Sequence, residues 1–540
     1  MKKNDIYELT IEDIGNDGEG IGHIQETELF TDVGQDDRGI AVFVKDTVVG
    51  DVARIRIVKV KKSYAYGRLE EIITPSPYRV EAACPKARSC GGCSLMHMSY
   101  ERQLEYKWNK VKNCLERIGG LTDAAALMEP ICGMEQPYHY RNKMQFPDGL
   151  SRDGKVEIGF FAGRTHSIID LEQCAIGHSV NDYIIRKLRP WLQGWQDRTG
   201  VFIYDEASHT GLVRHVLTRV GFATGELMVC LVINGESLET GTKGGRVQSA
   251  GHGKKGTGRF LPQVERELLD CLHAAVDEYN TARRAENTTA VTLASVSINI
   301  NRDKTNRILG DTCKTLWGQG YISDYIGDIR FKISPLSFYQ VNPVQTKVLY
   351  DKAVSYAGLT GNETVWDMYC GIGTISLCLA KHAKRVFGVE IVPQAIEDAK
   401  ENARINNITN ATFFCGKAEE VVPNFYNGVL KEDCPDMTSG ETDAQAVQNG
   451  MQDGRHPDVV VVDPPRKGCD SVLLDTIAQM APERLVYVSC DPATLARDVK
   501  ILAEKGYVVR RVGVVDQFGH SNHVESIALL SHKSPDSVTK

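Results

Sequence analysis

The chain has 540 residues, too many for one ordinary hydrophobic core, so about three domains are expected. A hydrophobic share of 42% and a charged share of 25% are those of a globular protein, and no apolar run is long enough to span a bilayer. The net charge of -7 argues against a protein that grips nucleic acid over its whole surface, while leaving room for local basic patches. The opening MKKNDIYELT lacks the apolar core of a secretory signal. The 15 cysteines then point to thiols or metal ligands in a reducing cytoplasm, not to disulfides.

Residues 1–73 read as a small β-rich domain. Ile6–Ile14, Ile40–Val44, Thr47–Val60 and Tyr64–Ile73 are rich in β-branched residues and separated by Gly and Asp turns. Arg54 and Arg56 alternate with Ile55 and Ile57, and Lys59, Lys61, Lys62, Tyr64, Tyr66 and Arg68 continue the basic and aromatic character. No acid interrupts Arg54 to Arg68, so this face is expected to hold phosphates and stack bases. A solvated strand face is the plainer alternative.

Residues 74–333 read as a central α+β domain. It opens on Cys84-Pro-Lys-Ala-Arg-Ser-Cys90-Gly-Gly-Cys93, three cysteines in one glycine-containing loop. Such a loop suits a metal or cluster, with Cys114, Cys132 and Cys174 as candidates for a fourth ligand. The spacing does not fit C-x3-C-x2-C radical chemistry, and sequence physics leaves iron–sulfur and zinc both open. Helices are expected at Tyr100–Ile118, Asn181–Leu192 and Val264–Tyr279. Strands are expected at Val156–Phe161, Ser167–Leu171, Leu212–Val220, Leu227–Ile233 and Val291–Asn301. The glycine-rich, basic stretch 241–259 reads as a mobile surface loop.

From 334 to 540 short apolar runs alternate with helical patterns, as in a Rossmann-like, doubly wound α/β domain. A helix at Val344–Ala357 precedes a strand at Thr364–Met368, which ends in Asp367-Met-Tyr-Cys-Gly371-Ile-Gly373-Thr374. Glycines there admit a nucleoside close to the backbone, and Glu390, ending a second strand, is placed for ribose hydroxyls. The loop lacks G-x-G-x-x-G, and Asp367 would repel a pyrophosphate, so a cationic sulfonium fits better than a nicotinamide dinucleotide. The polar, acidic stretch of about 427–457 reads as a disordered insertion. Val459–Val462 then leads into Asp463-Pro464-Pro465-Arg466-Lys467-Gly468, a rigid turn at a strand end. Arg466 stands where an amino-group methyltransferase would carry an aromatic ring.

In LVYVSCDPATLARD, Leu485–Val488 reads as a buried strand, Asp491 as an N-cap and Pro492 as the first helical residue. Cys490 therefore sits where a strand ends and a helix begins, a setting expected to favour thiolate. Cys469 is the rival nucleophile and lacks that setting. Val508–Val515 and Val524–Leu530 read as a closing antiparallel pair, with Glu525 near the cofactor rim.

Together these motifs closely resemble the bacterial RNA uracil-C5 methyltransferases, in particular the 23S ribosomal RNA branch with a TRAM domain and an iron–sulfur cluster. The likeness rests on the barrel, the C-x5-C-x2-C loop, Phe338-Tyr-Gln340-Val-Asn342, the Asp367–Thr374 loop, DPPRKG, SCDPATLARD and His523-Val-Glu525. It implies an OB-like TRAM barrel and a [4Fe-4S] cluster on Cys84, Cys90, Cys93 and Cys174. It also implies S-adenosyl-L-methionine contacts at Gln340, Tyr369, Thr374, Glu390 and Asp463. Lys417 stands where relatives often carry Asn. The expected reaction is thiolate attack by Cys490 on uracil C6, methyl transfer to C5, and removal of the C5 proton by Glu525. A monomer acting on an extruded uridine of 23S ribosomal RNA is expected. The alternatives are a transfer RNA uracil-C5 enzyme, a cytosine-C5 RNA enzyme, a non-catalytic iron–sulfur RNA-binding protein and, more distantly, a nicotinamide dehydrogenase.

Overall fold

Four sheets organise the chain. The computed structural model describes residues 1–25, 39–163, 165–241, 262–284, 289–426 and 456–532. The stretches 241–259 and 427–457 therefore lie almost wholly outside the described residues.

The first sheet has six strands in the order Ile6–Thr10, Val52–Val60, Tyr64–Thr74, Ile40–Val44, Gly20–Ile24, Asp13–Ile14. Alternation sends Ala53, Ile55 and Ile57 into a core with Leu9, Val42, Val44 and Ala65. The sheet curls until Glu12 N–H donates to the Ile21 carbonyl at 2.8 Å. That approach needs a glycine at 22, where a Cβ would stand 2.5 Å from the Thr10 carbonyl oxygen. The expected free cationic face is corrected by strand register. Arg54 lies opposite both Glu8 and Glu71 and bonds to each, while Arg56 and Arg68 share Glu70. Lys59, Lys61 and Lys62 remain exposed, and Lys59 is opposite Tyr66 in a ring cluster with Tyr64 and Phe43.

Helix α1 (Tyr100–Arg117) follows the cysteine loop. Its Val111, Cys114 and Leu115 pack not on the middle of the molecule but into one face of the last sheet. The second sheet has seven strands, in the order Thr312–Gly318, Thr292–Ile300, Glu226–Ile233, Val213–Val220, Lys143–Leu150, Val156–Phe161, Ile168–Asp170. Helices α2 (Val180–Thr199) and α3 (Gln263–Arg283) share its apolar core. A hairpin, Ile322–Ile326 with Ile329–Ile333, packs against the last sheet.

That last sheet is formed by β1 (Thr364–Met368), β2 (Arg385–Glu390), β3 (Ala411–Cys415), β4 (Val459–Val462), β5 (Arg484–Ser489), β6 (Tyr507–Val515) and β7 (Glu525–His532). Their order is β3-β2-β1-β4-β5-β7-β6, with β1 to β5 parallel and β7 antiparallel to both neighbours. α4 (Pro343–Ala357), α5 (Thr374–Ala380) and α6 (Pro393–Ile405) bury their apolar stripes on one face. α1, α7 (Ala418–Tyr426), α8 (Ser471–Met480) and α9 (Pro492–Glu504) cover the other. Strand order reverses between β1 and β4, and ligands of open α/β sheets bind at such a switch point. No helix among the described residues is long and apolar enough to cross a membrane.

Candidate active site

A cleft of about 740 Å³ opens over the carboxyl ends of β1, β2, β4 and β5. Gln340, Tyr369, Thr374, Glu390, Asp463, Cys490 and Glu525 all line it, so all seven positions read from sequence come together.

After β1 the backbone turns sharply. Tyr369 has φ 76°, an uncommon conformation for a non-glycine residue, and it is held there because the Tyr369 and Cys370 N–H groups both donate to the Val389 carbonyl, at 2.9 and 3.0 Å. Gly371 follows at φ 55°, and nothing lies within 4 Å of the place its Cβ would occupy, leaving a bare backbone floor. The Glu390 carboxylate receives Gly371 N–H at 3.3 Å and Val392 N–H at 2.9 Å. Tyr350 and Thr374 hydroxyls are 2.9 Å apart. Asp367 is fully buried: Ser376 donates to one carboxyl oxygen, while the other has no hydrogen-bond partner. Burial, with Asp463 and Glu390 nearby, pushes its pKa up to about 7. An orphaned acidic oxygen, an open glycine floor and a strand-end carboxylate fit a nucleoside cofactor that carries positive charge.

The reactive edge is set by strand pairing. Ser489 on β5 is opposite Ser526 on β7, so the next residue out, Cys490, stands beside Glu525. Asp491 caps α9 as expected, accepting from Ala493 N–H at 2.9 Å and Thr494 N–H at 3.3 Å. The cap carboxylate therefore takes the free N–H groups expected to favour a thiolate. Burial pushes the Cys490 thiol up to about 11, with Glu525 and Asp463 adding to the rise and Arg466 opposing it. That corrects the expectation of a resting thiolate. Glu525 is buried in the cleft lining, and burial followed by Asp463 raises it well above the carboxylate range. Burial raises Asp463 to about 6.

Cys469 does not line the cleft. It is buried, its N–H donates to Asp498, and burial raises its thiol to about 12. Two cleft residues not assigned a role from sequence are Phe518 and His523, on the loop leading into β7. The adjacency of His523 to Glu525 was their one sequence signal.

The structure also gathers Cys84, Cys90, Cys93 and Cys174. Burial raises the Cys93 thiol, and Cys174, Cys90 and Cys84 each raise it further. Cys174 sulfur accepts backbone N–H groups from Ile176 and Gly177, and Cys90 sulfur accepts one from Gly92. Among the described residues, no three His, Cys, Asp or Glu side chains converge closely enough to hold one metal ion. Four neighbouring thiols, two of them receiving backbone N–H groups, make a donor set with one sulfur for each metal of a cluster.

A sheet of this order with a sulfonium-compatible cleft at its switch point defines an S-adenosyl-L-methionine-dependent methyltransferase. A family model described as tRNA (uracil-5-)-methyltransferase matches residues 271–533, and one for the TRAM domain matches residues 2–69. An uncharacterized RNA methyltransferase of Halalkalibacterium halodurans is 43% identical over 99% of this chain and 98% of its own length. One from Clostridium tetani is 43% identical over 98% of this chain and 97% of its own length. The crystal structure of Pyrococcus abyssi tRNA (uracil-54, C5)-methyltransferase in complex with S-adenosyl-L-homocysteine shares the fold. Its TM-score is 0.64 at 24% identity, over 97% of this chain and 100% of that one. The chain belongs to the RNA uracil-C5 methyltransferase family.

Proposed function

We propose that the protein methylates C5 of a uridine in 23S ribosomal RNA through a transient bond between Cys490 sulfur and uracil C6. The β5–β7 register that stands Cys490 beside Glu525 in the cleft is the observation that carries this reading. Uracil C5 is a poor nucleophile until a thiolate adds at C6 and makes it enolate-like. The thiol proton must leave first, to solvent, and burial beside Asp463 and Glu525 opposes its loss. Charge then builds on the C4 oxygen, toward which neutral Glu525 gives its proton. Bound S-adenosyl-L-methionine supplies an electrophilic methyl group. Once C5 is methylated, the C4 oxygen loses its proton to solvent and the Glu525 carboxylate takes the C5 proton. Cys490 is then expelled as thiolate and takes up a proton from solvent.

Gln340, Tyr369, Thr374, Glu390 and Asp463 would hold the cofactor, Glu390 taking the ribose hydroxyls. Cys84, Cys90, Cys93 and Cys174 would hold a [4Fe-4S] cluster, supported by their mutual proximity and donated N–H groups. We assign residues 1–73 to RNA binding, 74–333 to the cluster-bearing middle and 334–540 to catalysis, in a cytoplasmic monomer. Mapping methyluridine in cells lacking the protein tests the substrate: one position in 23S ribosomal RNA should lose its methyl group. Loss confined to transfer RNA would instead favour the substrate in the matched family's description. Loss of 5-methylcytidine would favour a cytosine enzyme, and no loss at all a non-catalytic RNA-binding protein.

A further inference from the structure

A second charged site lies on the middle sheet, on the face away from α2 and α3. Arg219 on Val213–Val220 is opposite Lys143 on Lys143–Leu150. Arg219 is 1% exposed, and one terminal nitrogen, Nη2, donates to the Ser337 carbonyl at 2.9 Å, while Nε and Nη1 have no partner. Among the described residues no carboxylate pairs with it: its electrostatic neighbour is the Tyr339 hydroxyl, which reaches Asp324 only at 3.5 Å. Lys143 is half-buried, and the charges around it are Arg219 and Arg141, both positive. Burial and these two cations hold Lys143 down to about 7, while Arg219, lowered to about 10 by burial, stays charged.

A buried cation without a counter-charge among the described residues is unfavourable, so an anion from outside the chain is expected there. The site adjoins the cleft. Ser337, which takes the guanidinium, precedes Phe338, a cleft residue 70% exposed. Asn142, next to Lys143, donates to the Gln340 carbonyl at 3.0 Å.

We propose that Lys143, backed by the positive potential of buried Arg219, binds a phosphodiester of the substrate RNA next to the uridine that enters the cleft. This rests on the RNA reading above. The ammonium of half-buried Lys143 is the contact, and the guanidinium behind it acts through a low-dielectric interior. A phosphodiester suits the site better than the cofactor carboxylate because neither cation lines the cleft itself.

The test uses full-length protein, a labelled uridine-containing RNA hairpin and S-adenosyl-L-methionine. Lys143→Met should weaken hairpin binding about tenfold, and the slope of log affinity against log salt should fall by about one. Arg219→Met should weaken hairpin binding in the same direction with folding intact, since it removes an unpaired buried charge. Cofactor affinity should stay within about twofold for both. An unchanged salt slope in Lys143→Met overturns the proposal, as does weakened cofactor binding with RNA binding intact. The half-buried Lys143 variant decides even where Arg219→Met fails to fold. Wild-type protein that bound the hairpin without methylating it would sink the catalytic reading, and the salt comparison would still decide this site.

Discussion

Cys490 has a proton that is hard to remove, and the rate of adduct formation should show it. With the thiol at about 11, thiolate content rises about tenfold per pH unit below that value. The rate of adduct formation should therefore climb steadily between about pH 7 and pH 9, read by gel shift with 5-fluorouridine RNA. A plateau near neutrality would contradict a buried, acid-flanked thiol. Cys490→Ala should remove adduct and turnover together, by about 10³-fold or more in methyl incorporation assays. Glu525→Gln should keep the adduct and lose its release, so methylated RNA should stay attached on a denaturing gel. Asp148 shows the same physics without chemistry: it is buried, both oxygens lack partners, and burial raises it to about 8. The folded state then binds more protons than the unfolded one, so stability falls as pH rises from about 4 to about 8. Asp148→Asn should stabilise the protein by about 1–3 kcal/mol at pH 8 and much less at pH 5, by chemical denaturation.

At the scale of elements, the turn after β4 is pinned from beneath. The Asp498 carboxylate accepts Cys469 N–H at 2.9 Å and Tyr487 O–H at 2.6 Å, and Arg497 bonds it while donating to the Lys467 carbonyl at 3.0 Å. Asp498→Ala would strand a buried tyrosine hydroxyl and loosen the turn that carries Asp463 and Arg466. It should cost about 2–4 kcal/mol in thermal unfolding and lower kcat more than cofactor affinity. The strand–cap–helix unit around Cys490 was legible because every signal in it is local: an apolar β-branched run, an N-cap acid, a proline at the first helical turn. β1, β4 and Val156–Phe161 were legible for the same reason. Strand Gly20–Ile24 was not, because two glycines in five residues leave little pattern. The paired state of Arg54, Arg56 and Arg68 was hidden too, since Glu8, Glu70 and Glu71 meet them only through register. The raised Cys490 thiol depends first on burial and then on Glu525 and Asp463, which are remote from it in sequence.

Across the whole molecule, α1 links the first sheet to the loop beside the cleft. Lys107, fully buried, pairs with Asp516 and donates to the Phe518 carbonyl at 2.9 Å. Lys110 bridges the Asn16 carbonyl of the first sheet's hairpin and the Asn522 carbonyl beside His523, at 2.8 and 2.9 Å. The first sheet and the loop into Glu525 thus share one support, which no local pattern in the sequence announces. The proposed function rests on one short-lived bond. RNA with 5-fluorouridine at the target position cannot lose its C5 substituent as a proton, so the intermediate should accumulate. Peptide-level mass spectrometry of the trapped complex should find methylated fluorouridine joined to the peptide containing Cys490. Attachment through Cys469, or methylation with no covalent complex at all, would contradict the mechanism.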